Sequence, residues 1–444
     1  MVLMYNKRPV SKFLVILTIV LIPIFAIAQQ PQVDDQAQQS ENDQNPNDDS
    51  HRDEVVTTKI GGQLQGMGFF GVGGLEKNTT QQQNVYFITS GGIDINATGA
   101  SRNGLLYGAT ISLGVDAGQS ATSVSTAYIN LGNNCYGTAK IGTLSSSAAS
   151  ELSIDGISAI LGGQEGVAGY LGGACTTCIG TNTSPYMPYE IQGASTISYS
   201  TPSVKGFTVG ISYTPHNKMA GSKGKADTAG VAWQYDDGSA IPVAGNNLYP
   251  TVKNMFAGGV QYDYSDDVWH TTVSLVGWNG QDSLWSDGST ISQANKAKKL
   301  MAYQTGATFG YKDWTCGIGF LNLGDSLLNT TLSEQDGSMS GSDAGKVYTI
   351  GVSYVFDKWK FATAYMYTVT GFGRSQKATC HAFSYTVDYN YVSGLAFYGE
   401  FNHINTKTCE AALRYNEAFT TNKDASSKME THGSFIVFGT RLSF

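Results

Sequence analysis

Past residue 28 the 444-residue chain has no apolar run near the roughly 20 residues that a helix needs to cross a bilayer, which excludes helical spans from nearly all of it. Basic residues are scarce: 27 Lys and Arg stand against 35 Asp and Glu, a net charge of −8. Neutralising phosphates takes clustered Lys and Arg, so nucleic acid is excluded as a partner. The sequence also lacks G-x-S-x-G, G-x-x-x-x-G-K-[ST] and H-E-x-x-H. Its six histidines, His51, His216, His270, His381, His403 and His432, are scattered. With no named catalytic constellation, the chain is read as non-enzymatic, with no cofactor and no metal centre. A site assembled from distant strands is the rival. A sustained 3.6-residue apolar period is missing as well. That excludes a TIM barrel or a doubly wound sheet, whose parallel strands need helical crossovers.

What is present begins at the N-terminus. Lys7, Arg8 and Lys12 precede FLVILTIVLIPIFAIA (13–28), which is interrupted by Pro23 and closes on Ala26-Ile27-Ala28. A basic segment, a short apolar segment and an A-x-A site describe a secretory signal cleaved after Ala28. Its removal leaves 24 Lys and Arg against 35 acidic residues, a net of −11. Residues 29–54, QQPQVDDQAQQSENDQNPNDDSHRDE, are acidic and Gln-rich with almost nothing apolar. Such a segment cannot bury enough surface to offset the entropy of ordering, and is read as a disordered periplasmic extension.

From Val55 onward a two-residue alternation recurs, the signature of strands. Sixteen are expected: 60–73, 85–97, 104–116, 121–132, 136–144, 195–202, 206–214, 254–264, 268–278, 300–311, 313–323, 346–356, 359–369, 378–390, 394–406 and 434–444. Most match the ~9–11 residues of a tilted membrane-crossing strand. In NGLLYGATISLGVD one parity carries Leu105, Tyr107, Ala109, Ile111, Leu113 and Val115, while the other carries Gly, Thr, Ser and Asp. A soluble sandwich would place charges on its outer face. Here the polar face is small and neutral, which suits lipid outside and water inside.

The connections alternate in length. Links near 101–103, 133–135, 203, 265–267, 312, 357–358 and 391–393 are tiny. Those at 145–194, 215–253, 279–299, 324–345 and 407–433 are long, and only 117–120 and 370–377 depart from the rule. Tight turns on one rim and long loops on the other describe an antiparallel barrel of even strand number. In hydrocarbon every backbone amide must be paired inside the protein, so the sheet has to close. The last strand, FIVFGTRLSF, is therefore expected to pair with IGGQLQGMGFF (60–70), removing both edges. Trp269, Trp278, Trp314, Trp359, Tyr311 and Tyr389 lie near strand ends, where interfacial belts are expected. Sixteen strands leave an aqueous channel.

Six cysteines in an exported chain invite pairing. Cys175-Thr-Thr-Cys178 is a lone C-x-x-C, expected as a local disulfide. Cys380 and Cys409 fall at one rim, where they can meet. Cys135, in a turn, and Cys316, in a strand, need no partner.

The stretch STISYSTPSVKGFTVGISYTP (195–215), preceded by YGTAKIGTL (136–144), resembles the general porins of Gram-negative bacteria, particularly those of alphaproteobacteria. The terminal Phe444 resembles that family's assembly signal, read by the outer-membrane insertion machinery. The resemblance implies a homotrimer of 16-stranded barrels in the outer membrane, in contact with its lipid and passing small hydrophilic solutes and ions. It also implies a third loop folded inward to narrow each pore. That loop, 145–194, carries Glu151, Asp155, Glu165 and Glu190 and no Lys or Arg. The family often places arginine after the Gly of the preceding strand, but here Gly142 is followed by Thr143. Lys140 is the one basic residue placed mid-strand on the polar parity, with Lys59 and Arg441 nearer the turn-side rim. An acidic constriction favours cations, so the pore is expected to prefer them. A sugar-selective channel, hinted at by Tyr186 and Tyr189, and an adhesin or receptor barrel are the alternatives. Calcium at the loop carboxylates does not follow from the sequence.

Overall fold

The structure, a computed structural model, describes residues 56–73, 85–102, 104–116, 123–156, 194–216, 252–282, 298–326, 343–372, 376–407 and 430–444. The sixteen strands are β1 (Thr57–Gly73), β2 (Val85–Ala100), β3 (Leu106–Asp116), β4 (Ser123–Asn133), β5 (Gly137–Leu144), β6 (Ala194–Ser200), β7 (Phe207–His216) and β8 (Val252–Ser265). They continue as β9 (Trp269–Asp282), β10 (Leu300–Tyr311), β11 (Trp314–Gly324), β12 (Asp343–Phe356), β13 (Trp359–Phe372), β14 (Gln376–Val392), β15 (Leu395–Lys407) and β16 (Glu430–Ser443). One short helix, α1 (Ala148–Leu152), follows β5. Among the described residues no helix is long and apolar enough to cross a membrane. The chain crosses with strands instead.

Each strand pairs antiparallel with its sequence neighbours, and β1 pairs with β16, so the sheet closes into a barrel. The seam runs from Gln63↔Ser443 to Gly73↔Gly433. Beyond the last strand residue, Phe444 adds one more rung: its N–H donates to the Gly62 carbonyl and its own carbonyl accepts from the Gly62 N–H, both at 3.0 Å. The ring of Phe444 lies over Gly62, where a Cβ would come within 2.8 Å of the ring carbon Cζ. Gly62 is thus the floor on which the terminal aromatic packs.

The alternation read in the sequence sorts the faces. In β10 Met301, Tyr303 and Phe309 point outward, 61, 43 and 48% exposed, while Leu300, Ala302, Gln304 and Thr308 are buried inside. In β16 Ile436, Phe438, Leu442 and Phe444 face out and Val437 faces in. Exposed apolar side chains girdle the whole cylinder, far more than the few hundred Å² of contiguous apolar patch that a soluble monomer leaves in water. Lipid is their solvent. Aromatic pairs collect along the turn-side rim, with ring centroids 4.3 Å apart for Trp269–Tyr311, 4.6 Å for Trp314–Tyr354 and 4.5 Å for Trp359–Tyr389.

The tight turns carry local devices. Lys312 and Asp357 take left-handed backbone, φ 51° and 52°, which the abrupt reversals there require. In the β8–β9 turn, Asp266 accepts from the backbone N–H of Val268 (2.8 Å) and of Trp269 (2.7 Å) and from the Tyr264 hydroxyl (2.9 Å). The two backbone donors, with the hydroxyl, hold its carboxyl below the usual carboxylate range. A lowered folded-state pKa means that the stabilisation is present above the unfolded value, about 3.9, and is lost as pH falls through the folded value. Asp266→Ala is therefore expected to lower thermal stability at neutral pH, with the gap to wild type closing as the pH is taken below the unfolded carboxylate value. A gap that stays constant over that range would show that the carboxylate is not its source.

Candidate functional site

The inside of the barrel is organised by the connection that follows β5. Leu144 ends β5 buried, and the chain turns inward rather than away from the rim. Ser147 caps α1, its Oγ accepting from the Ser150 N–H at 3.2 Å, which satisfies one of the open amides of the first turn. Ala148, Ala149, Ser150 and Leu152 are all buried. Small residues let the helix lie close to the sheet, against β7, β8 and β9.

Four strands hold the segment through polar groups on their inner faces. On β7, Ser212 Oγ accepts from the Ala148 N–H at 3.0 Å. Two strands further, Trp278 of β9 donates through Nε1 to Ser147 Oγ at 3.3 Å, and Ser274 Oγ accepts from the Ile154 N–H at 2.9 Å. Gln304 of β10 donates through Nε2 to the Ile154 carbonyl at 3.2 Å. Finally Thr349 Oγ1 of β12 accepts from the Gly156 N–H at 2.8 Å. Residues 147–156 therefore cross the inner wall from β7 to β12. At β10 the crossing is very close: a Cβ on Gly306 would sit 1.9 Å from the Ile154 carbonyl oxygen. Only glycine lets the loop pass there.

Trp278 corrects an expectation. It was read as part of an interfacial belt, yet it is 2% exposed and faces inward with Ser274 and Val276. The apolar parity of β9 belongs to Trp269, Val273 and Leu275, so Trp278 falls on the opposite face. There its indole N–H serves the loop rather than the membrane interface.

Of the residues expected at the constriction, Lys140 and Glu151 come together, Nζ to Oε1 at 2.7 Å. Ser146 Oγ donates to the same carboxylate oxygen at 3.3 Å, and Lys140 also lies over the Tyr128 ring, 5.9 Å from its centroid. Both charged side chains are about a quarter exposed, so the pair contributes on the order of 0–1 kcal/mol and acts mainly to fix α1 to β5. Asp155 is buried where the loop passes β11 and β12. Glu165, Glu190, Cys175, Cys178 and Cys409 lie outside the described residues. Cys380 is buried and disulfide-bonded. Cys135 and Cys316 are free.

The wall beyond β12 holds charges that the sequence reading passed over. Lys360 of β13 and Asp388 of β14 are register partners on the inner face. Glu400 of β15 is 3% exposed and accepts from Asn402 Nδ2 at 2.9 Å. Each sits on the polar parity of its strand, and that parity was the available signal. Together with Arg441 and Lys59 they give the wall both signs of charge.

A sequence profile of the Gram-negative porins matches residues 36–408. Among solved structures, an anion-selective porin from Comamonas acidovorans superposes with a TM-score of 0.55 at 13% identity, over 88% of this chain and 100% of that one. OmpT of Vibrio cholerae, an outer membrane protein in its trimer form, gives 0.50 at 13% identity, again over 88% and 100%. These likenesses are of fold. An uncharacterized protein of Rickettsia conorii is 26% identical over 275 residues, 57% of this chain and 58% of its own length. One from Rickettsia typhi is 24% identical over 286 residues, 60% of each. The chain thus spans about three fifths of the length of the curated relatives it matches.

Proposed function

Because the chain belongs to the Gram-negative porin family, forming a barrel channel of the outer membrane, we propose that it passes small hydrophilic solutes and inorganic ions by passive diffusion, with cations preferred. No bond is made or broken. Selection rests on pore width and on charge along the third connection, the segment that begins at Ser145.

The observation that carries this reading is the path of that connection, held across the inner wall by hydrogen bonds from β7 to β12. A loop fixed there narrows the aqueous path and presents its own groups to it. Glu151 is the acidic residue of its helix, and the loop has no basic residue to set against it. On the inward parity of the wall, Asp94, Asp263, Asp388 and Glu400 balance Lys59, Lys140, Lys360 and Arg441. The acids of the third connection tip the balance negative. Carboxylates lining a narrow pore favour cation entry.

Reversal potentials across a planar bilayer in a salt gradient test this. Wild type is expected to pass cations in excess. Lys140→Gln releases Glu151 from its partner and is expected to raise the cation-to-anion permeability ratio about twofold; Glu151→Gln lowers it by a similar factor, as expected for a single exposed charge near a pore. Anion preference in wild type would overturn the assignment.

The same reading makes residues 1–28 a cleaved leader and 29–54 a periplasmic extension. Three protomers associate in the membrane, and Phe444 carries the signal recognised by the insertion machinery.

A further inference from the structure

We propose that the inner wall of β2–β5 holds a binding subsite for a neutral pyranose sugar, built around Tyr128 beside the Lys140–Glu151 pair. The inference rests on the pore reading above and names a class of solute that meets the constriction. On β4, Ile129 and Leu131 are exposed on the lipid side, so Tyr128 and Asn130 fall on the inward parity. Lys140, paired with Glu151 of α1, lies over the Tyr128 ring. A solute passing that pair therefore meets the ring. Among the described residues the inward Trp278 and Tyr398 are buried, whereas Tyr128 is partly exposed.

The register sets what surrounds this ring. One lateral row crosses the wall: Asn96 faces Thr110, Thr110 faces Tyr128, and Tyr128 faces Gly142. Gly142 has φ 147°, and a Cβ there would come within 2.7 Å of the Tyr128 Cα, so β5 adds no side chain beside the ring at this rung. Two residues nearer the turns, Asn130 faces Gly108 on one side and Lys140 on the other. A Cβ on Gly108 would lie 2.7 Å from Asn130 Oδ1. Glycines on β3 and β5 thus clear the space taken by the amide and the ring.

The polar groups on this wall are neutral and open. Thr110 Oγ1 donates to Asn96 Oδ1 at 2.8 Å, which leaves the two Nδ2 donors of Asn96 to the lumen. Among the described residues, neither the Asn130 amide nor the Tyr128 hydroxyl makes a hydrogen bond. All three side chains are partly exposed. An aromatic face covers the C–H side of a pyranose ring, and an amide offers a donor and an acceptor in one plane to neighbouring hydroxyls. Ions fit less well. Lys140 Nζ, 5.9 Å from the ring centroid, already takes the cationic position over it. Asp94, exposed on the inward parity of β2, and Glu151 oppose an anion. Asn96 stands two strand spacings from Tyr128, about 10 Å, the reach of a second sugar ring.

Saturation-transfer NMR of the full chain, folded in detergent, tests the subsite with maltose as the probe and sorbitol as its acyclic control. Wild type is expected to transfer saturation to the ring protons of maltose and little to sorbitol. Tyr128→Ala, verified as folded by heat-modifiable gel mobility, is expected to bind maltose about tenfold more weakly, the loss of one aromatic stack. Tyr128→Phe keeps the ring and should stay closer to wild type than to the alanine variant. Should Tyr128→Ala not fold, Asn130→Ala carries the same comparison through the amide. Equal transfer to maltose and sorbitol in wild type would overturn the proposal, as would equal maltose binding by wild type and the folded alanine variant. Saturation transfer reads binding whether or not the barrel conducts. Its failure therefore overturns the subsite alone, whereas a folded barrel that passes no ions in a planar bilayer overturns the pore reading.

Discussion

Deleting the single residue Thr440 is expected to abolish the barrel. Successive side chains of a strand alternate faces, so removing one residue transfers everything beyond it to the other side. In β16 the outward set is Ile436, Phe438, Thr440, Leu442 and Phe444, with Val437, Gly439 and Arg441 inside. After the deletion Arg441 enters the lipid face, while Leu442 and Phe444 turn toward the lumen. A lipid-facing arginine costs about 2–4 kcal/mol at the bilayer centre and less toward the interface. The larger loss is the seam. The rungs from Gln63↔Ser443 to Gly66↔Thr440, and the Gly62–Phe444 pair, cannot re-form with the same faces. An unclosed edge in hydrocarbon leaves amides unpaired at several kcal/mol each. The measurement is heat-modifiable mobility on a gel, together with protease resistance in the membrane fraction. The deletion variant should show no folded band, whereas Thr440→Val, which keeps the parity, should fold like wild type. A deletion variant that folds with wild-type mobility would mean that closure does not depend on this register.

Such dependence on parity is also why the barrel was legible in the sequence. A lipid-facing strand announces itself in ten or so residues, because its two faces meet different solvents, as in Leu105 to Val115. The tight turns were legible for a similar reason: one or two residues between two alternating runs leave no other geometry. The interior of the pore was much less so. The polar parity was expected only to be small, neutral and wetted, yet Ser212, Ser274 and Thr349 on it each accept a hydrogen bond from the third connection. Their partners lie 64, 120 and 193 residues away in the chain, and no local pattern encodes that distance. Trp278 was misplaced because nearness to a strand end was weighed above its parity. Glu400 and Asp388 hid as single charges within aromatic-rich runs, YGEFN and TVDYN. The Lys140–Glu151 contact followed from neither parity nor spacing; it required knowing that the chain after β5 turns inward and brings α1 within reach of Lys140.

Filling the space beside Gly306 should dislodge the constriction without opening the barrel. A Cβ at this position would lie 1.9 Å from the Ile154 carbonyl oxygen, against the 3.4 Å or more of ordinary contact. Gly306→Leu therefore forces the loop off the wall by more than an ångström. Three hydrogen bonds lose their geometry together: Ile154 N–H to Ser274, Gln304 to the Ile154 carbonyl, and Gly156 N–H to Thr349. At roughly 1 kcal/mol each their loss removes about 3 kcal/mol of loop attachment. The hydrogen bonds of Ser147 and Ala148 to β9 and β7 remain. A segment tethered at one end and released at the other samples several positions. Single-channel recordings should then replace one steady level with flickering among levels, and mean conductance should shift by about a factor of two, as expected when the narrowest section of an aqueous path is no longer fixed. Ala307→Leu is the matched control, since residue 307 lies on the outward parity of β10 and adds the same bulk on the lipid side. It should leave both the level and its noise unchanged. Identical steady currents from the two folded variants would remove the third connection from the constriction and place the narrowing of the pore on the wall itself.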